Sequence, residues 1–158
     1  MTLRAMTQSE YALEPWVCLH RGHAAVRRSV AAKLQLAHGL TVNDYEALSL
    51  LSRAEGSCMR RVDLANALQL SASGVTRLLD GLEEQGLVRK KACSSDGRVT
   101  YAVLTKAGRK RLEQASSAHT AVVTALFEEH YTPKELALLA ELLARLPQAL
   151  PTGPGRII

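Results

Sequence analysis

Aromatic side chains are scarce in this 158-residue chain: one Trp, one Phe and four Tyr make up 4 % of it. A core must therefore come from leucine, valine and alanine, which favours helices over a sheet-rich fold. Only three cysteines occur (Cys18, Cys58 and Cys93), an odd number with no repeating spacing. That argues against a disulfide framework or a CxxC metal knuckle. No run approaches the ~18 apolar residues of a membrane span, and the N-terminus lacks the apolar stretch of a signal peptide. A cytoplasmic setting with no membrane partner is therefore expected. HExxH, GxSxG, P-loop and GxGxxG patterns are also missing, so neither an enzyme nor a bound cofactor or metal is expected.

What is abundant is positive charge, and it is localised. The formal net charge is +5. Residues 60–111 hold eleven Lys/Arg against five Asp/Glu, a surplus of six, so the rest of the chain carries a net charge of minus one. A length of 158 residues fits one domain with a real core. The basic excess therefore marks one part of that domain as the place to look for an anionic partner.

The organisation reads as follows. Residues 1–10 are polar and unpatterned and are read as a flexible start. Leu19, His23, Val26, Val30 and Leu34 recur at helical spacing, predicting a helix over about 13–38 that Gly39 ends. Thr41 with Asp44 resembles a capping box and opens a second helix through about Arg53. A short helix over 61–68 follows, then a tight Gln69-Leu70-Ser71 connection. The next helix, near Ser73–Gln85, has Ser71 or Ser73 as its N-cap and a stripe of Val75, Leu78, Leu79 and Leu82. Then the period changes. Leu87–Ala92 and Val99–Leu104 are short strands joined by Ser94-Ser95-Asp96-Gly97, in which Asp-Gly is a strong hairpin signal. Thr105 caps a long helix to about His130. Thr132-Pro133-Lys134-Glu135 starts a last one carrying Leu136, Leu139, Leu143, Leu146 and Leu150, with Leu138 and Leu142 alongside.

The predicted fold is thus mainly α with a small β-hairpin wing. A winged helix-turn-helix DNA-binding lobe over about 41–104 is flanked by dimerisation helices over about 13–38 and 105–147. The domain as a whole spans 11–147, and 148–158 form a flexible tail. The terminal helices carry more apolar surface than one small domain hides, so a homodimer is their economical use. Packing of the two on each other within a monomer is the alternative.

The middle module has the chemistry to read double-stranded DNA. One helix fits the major groove, where base edges present a unique donor and acceptor code. Ser71, Ser73, Thr76 and Arg77 stand at the start of the candidate recognition helix, where free N–H groups also favour phosphate. In isolation a solvated amphipathic helix would show the same pattern; the basic hairpin that follows separates the two. Arg89, Lys90, Lys91 and Arg98 supply its charge. An arginine near the tip suits the negative minor groove, and Asp96 is placed to hold Arg98 or simply to begin the turn. Arg60 and Arg61, read as the start of the preceding helix, are candidate phosphate contacts.

Over about residues 12–147 the chain resembles the MarR family of bacterial regulators. The resemblance rests on Leu40-Thr41 with Tyr45, on Asp63-Leu64-Ala65, and on Ser73-Gly74-Val75-Thr76-Arg77-Leu78 with Leu82-Glu83 and Gly86-Leu87-Val88. It continues in Asp96-Gly97-Arg98 and in Leu104-Thr105-Lys106-Ala107-Gly108. It implies an obligate dimer on palindromic operators, with repression relieved by a small ligand or by oxidation. Such ligands are often phenolic or aromatic carboxylates bound where the dimerisation helices meet the DNA lobe. Trp16, His20 and Tyr45 are the candidate contacts, although core packing is the plainer role for Trp16 and Tyr45. In urate-responsive members the acidic partner of a first-helix tryptophan would fall at Glu46. Cys18 lies near the position of a peroxide-sensing cysteine, but its neighbours lack the accompanying tyrosines, so a buried, inert thiol is expected. Oxidation of Cys93 in the wing could disturb DNA contact. Zinc would draw on Cys18, His20, His23, His38 and His119, without a second paired histidine motif. Alternatives to a ligand-responsive repressor are therefore a thiol- or zinc-responsive regulator of the same fold, or an architectural DNA binder.

Overall fold

The computed structural model describes residues 8–92 and 99–146, with backbone alone for 8–12. In chain order the elements are α1 (Gln8–His38), α2 (Val42–Arg53), a 3-10 turn (Glu55–Ser57), β1 (Cys58–Arg60), α3 (Arg61–Ala67), α4 (Ala72–Glu84), β2 (Val88–Ala92), β3 (Thr100–Leu104), α5 (Lys106–His130) and α6 (Pro133–Leu143). The helical character and the hairpin strands are as the pattern predicts. Of the expected flexible ends, 1–7 and 148–158 lie outside the described residues. Residues 8–10 already belong to α1, which runs five residues ahead of its predicted start and straight through Pro15.

Local chemistry sets most of the boundaries. Thr41 and Asp44 form the capping box of α2: the Thr41 N–H donates to Asp44 at 2.8 Å and the Asp44 N–H to the Thr41 hydroxyl at 3.1 Å. Thr132 and Glu135 repeat it on α6. At the end of α4, the Gly86 N–H reaches the Glu83 carbonyl at 2.8 Å and the Leu87 N–H reaches that of Leu82 at 2.9 Å. This Schellman pair needs Gly86 in the left-handed region, at φ +70°.

The sheet has three strands, not two. β1 pairs antiparallel with β3, giving the order β1-β3-β2. Arg60, read from the sequence as the start of a helix, ends β1 opposite Tyr101, and α3 begins at Arg61. Gly56 and Ser57, both at positive φ, turn the chain into that strand.

The core lies where α2, α3, α4 and the sheet meet the inner parts of α1 and α5. Leu34, Leu40, Leu48, Leu51, Leu64, Leu79 and Leu82 are fully buried in it. Only the C-terminal half of the α1 stripe reaches it: Val30 and Leu34 are buried, while Leu19 is exposed. α5 is tied to the end of α4 at one joint. The Thr105 hydroxyl shares its hydrogen between the carbonyls of Gly86 (2.7 Å) and Leu87 (3.0 Å), and accepts from the Gly108 N–H at 3.0 Å. A β-carbon on Gly108 would stand 2.0 Å from the Leu87 carbonyl oxygen.

α6 buries none of its residues, and Leu138 and Leu142 are about half exposed. It stops at Leu143, short of the predicted 147. Leu150 lies outside the described residues.

Candidate nucleic-acid interface

The turn between α3 and α4 sets the site. Gln69, at φ +54°, reverses the chain, and Ser71 caps α4 by accepting from the Gly74 N–H at 3.1 Å. Ser71, not Ser73, is therefore the N-cap; the two hydroxyls stand 3.2 Å apart, both exposed. On its inner face α4 buries Val75, Leu79 and Leu82, and on its outer face it exposes Ser73 and Arg77. Arg77 has no acidic partner among the described residues.

Thr76 is less free than its residue type implied. Its hydroxyl donates to the Ala72 carbonyl at 2.8 Å and accepts from the Arg61 guanidinium at 3.2 Å. Arg61 is thus half-buried and braces α3 against α4. Arg60 is exposed.

The alternation of β2 sorts its cations. Val88 is buried, so Val88, Lys90 and Ala92 share the face toward α4, and Arg89 and Lys91 share the other. Lys90 Nζ lies 2.6 Å from Asp80 and 2.8 Å from Glu83, both on α4. The Lys90 N–H also donates to Glu83 at 2.8 Å. These contacts hold the Lys90 ammonium at a pKa of about 12, through its bonds to Asp80 and Glu83, and lower that of Glu83. Arg89 and Lys91 are exposed without an acidic partner among the described residues. Cys93, Asp96 and Arg98, the predicted tip of the wing, lie outside the described residues.

Two further arginines of the basic stretch, counted only as charge, have structural roles. Arg109 donates to Ser57 at 2.6 Å, fastening α5 to the turn before β1. Arg111, which composition alone would assign to solubility, donates to the His38 carbonyl at 2.7 Å and so satisfies the end of α1.

The candidate effector residues fall into two places. Trp16 and His20 stack at 6.0 Å on the outer half of α1, where Trp16 is 62 % exposed. Tyr45 stacks on His119 of α5 at 4.6 Å and its hydroxyl lies 3.4 Å from that of Ser116. Beside it Arg27 of α1 bridges to Glu46 at 3.2 Å and to Asn43 at 2.5 Å of α2. Trp16 precedes Arg27 by eleven residues, about 16 Å along a helix, so Trp16 and His20 do not join Tyr45 at that junction. Glu46 is engaged by Arg27. Burial holds the imidazole of His119 below its usual pKa, with Glu46 opposing. Cys18 is exposed, contrary to the expectation of a buried thiol, because the outer half of α1 packs on nothing deep. Among the described residues no three His, Cys, Asp or Glu side chains gather as a metal site, and no helix is long and apolar enough to cross a membrane.

A helix-turn-helix whose second helix shows one apolar and one polar basic face, followed by an antiparallel wing, defines a winged-helix protein. Comparison with known proteins narrows the class. A sequence model of the MarR family matches residues 38–99. AbsC, a MarR family transcriptional regulator from Streptomyces coelicolor, is 34 % identical; the match covers 89 % of this chain and 93 % of that one, with a TM-score of 0.74. The transcriptional repressor YetL of Bacillus subtilis is 30 % identical over 112 residues, 71 % of this chain and 66 % of its own. Sco3205 of S. coelicolor, solved in complex with DNA, shares the fold at a TM-score of 0.75 and 24 % identity, over 90 % of this chain and 88 % of its own. The chain belongs to the MarR family of winged-helix transcription regulators.

Proposed function

We propose that the chain acts as a cytoplasmic homodimeric repressor that lays α4 in the major groove of a palindromic operator and its wing in the flanking minor groove. The division of α4 into a buried Val75/Leu79/Leu82 face and an exposed Ser73/Arg77 face carries this reading. Arg77 can pair bidentately with guanine, and Ser73 can donate to a base or phosphate. The N–H groups of Ala72 and Ser73, at the open end of α4, suit a phosphate. Arg89 and Arg60 add backbone contacts, and Arg98, steadied by Asp96, enters the minor groove. Arg61 and Thr76 act by holding α3 and α4 together. Dimerisation covers the exposed apolar surface of α1 and α6, including Leu13, Trp16, Val17, Leu138 and Leu142.

The effector is an aromatic or phenolic molecule that competes with the Tyr45–His119 stack where α1, α2 and α5 meet. A ligand wedged there would tilt the DNA lobe against the dimer helices. Arg77→Ala and Arg98→Ala should each weaken operator binding by about 1–3 kcal/mol with the dimer intact, the scale of one good groove contact. Unchanged affinity in titrations at fixed salt would remove α4 and the wing from the interface.

A further inference from the structure

We infer that Lys90 is a positioning residue that clamps the wing to the recognition helix, rather than a phosphate contact. The inference rests on the DNA-binding reading above and specifies what one of its cations does.

The strand register supplies the first reason. Lys90 pairs with the buried Ala102 and shares the face of Val88, which is 2 % exposed, so its side chain rises from β2 over α4. On α4, Asp80 and Glu83 are one helical turn apart and meet it together, at 2.6 Å and 2.8 Å. The backbone takes part as well, since the Lys90 N–H donates to Glu83 at 2.8 Å. Strand and side chain are therefore both fixed to the same turn of α4.

Electrostatics supplies the second reason. Two carboxylates on a helix that approaches DNA repel phosphate. Lys90 offsets their charge and sets the angle at which the hairpin leaves α4. A lone surface ion pair contributes little to stability, and here the side chains of Lys90, Asp80 and Glu83 are 35 %, 45 % and 37 % exposed. The clamp's effect should thus appear in recognition, not in folding. A hairpin held at one angle meets the DNA flanking α4 only when α4 sits in its own register, so loosening it lowers the preference for the correct site.

The two roles of Lys90 differ in sign and in additivity. Compare four full-length proteins: wild type, Lys90→Gln, Asp80→Asn with Glu83→Gln, and all three substitutions together. The probes are a duplex enriched from genomic fragments by the wild type and a random-sequence duplex of equal length, at one salt concentration, with thermal melting as the folding control. A clamp predicts that the acid pair's removal lowers the ratio of selected to random affinity by roughly three- to tenfold, the range of a coupled pair. It does so although less negative charge should tighten binding to any DNA. Lys90→Gln lowers the ratio by a similar factor, and the triple variant is no worse than either. A phosphate contact predicts instead that Lys90→Gln weakens both duplexes equally in either background, while the acid pair's removal strengthens both. That outcome overturns the clamp and leaves the DNA reading standing. Wild-type protein that binds neither duplex overturns both.

Discussion

At Gly108 a β-carbon would stand 2.0 Å from the carbonyl oxygen of Leu87 and 2.8 Å from the side chain of Leu104. The first turn of α5 can therefore lie against the end of α4 only without one. Backbone has to move to admit it, unlike the flexible end of a side chain. Gly108→Ala should destabilise the protein by about 1–3 kcal/mol or more, the cost of forcing a methyl group into packed space. Urea unfolding at fixed protein concentration measures it, and an unchanged midpoint would contradict the close approach. The joint matters because Thr105 binds both ends at once, capping α5 while its hydroxyl holds Gly86 and Leu87. A single residue pair thus links the helix proposed to read DNA to the long helix proposed to reach the partner.

Between elements, the junction of α1, α2 and α5 has a titration signature. Burial holds His119 below its ordinary value of 6.5, so the unfolded chain takes up its proton first. The stability contributed by neutral His119 is full above 6.5 and fades as pH falls through that value toward the lower folded one. The lowered Glu83 and Glu135 start from 4.5 and lose their contributions only near and below it. Stability should accordingly fall between pH 7.5 and 5.5, and His119→Gln should flatten that fall. Parallel pH profiles for the two proteins would exclude His119 as the cause. How far such elements were legible in the sequence depends on the range of the forces that make them. The starts of α2, α5 and α6 could be read because Thr41, Thr105 and Thr132 act on residues three positions away. The strand β1 could not be read. Three residues carry no period, and its partner β3 lies about forty residues later. Lys90 was legible as charge but not as direction. Only the buried face of β2 turns it toward Asp80 and Glu83 and leaves Arg89 and Lys91 on the other side.

For the whole molecule, the surplus of positive charge in residues 60–111 and the bare apolar helices at the two ends belong to one design. The basic lobe supplies attraction to any duplex, which is salt-dependent and blind to sequence. Sequence preference needs α4, and a fixed spacing between two copies of α4 needs the dimer. The half-buried Leu136 and Leu139 and the exposed Leu138 and Leu142 leave α6 without a covered face in a single chain. In the proposed dimer a second copy would supply that cover and set the distance between the recognition helices. The most direct measurement is selection of genomic DNA fragments by the purified protein, followed by footprinting of the enriched sites. The account predicts inverted repeats with half-site centres about 10–10.5 base pairs apart or a multiple of that, protected on one face of the duplex. Enrichment without any inverted repeat, or protection of single half-sites by a monomer, would contradict it.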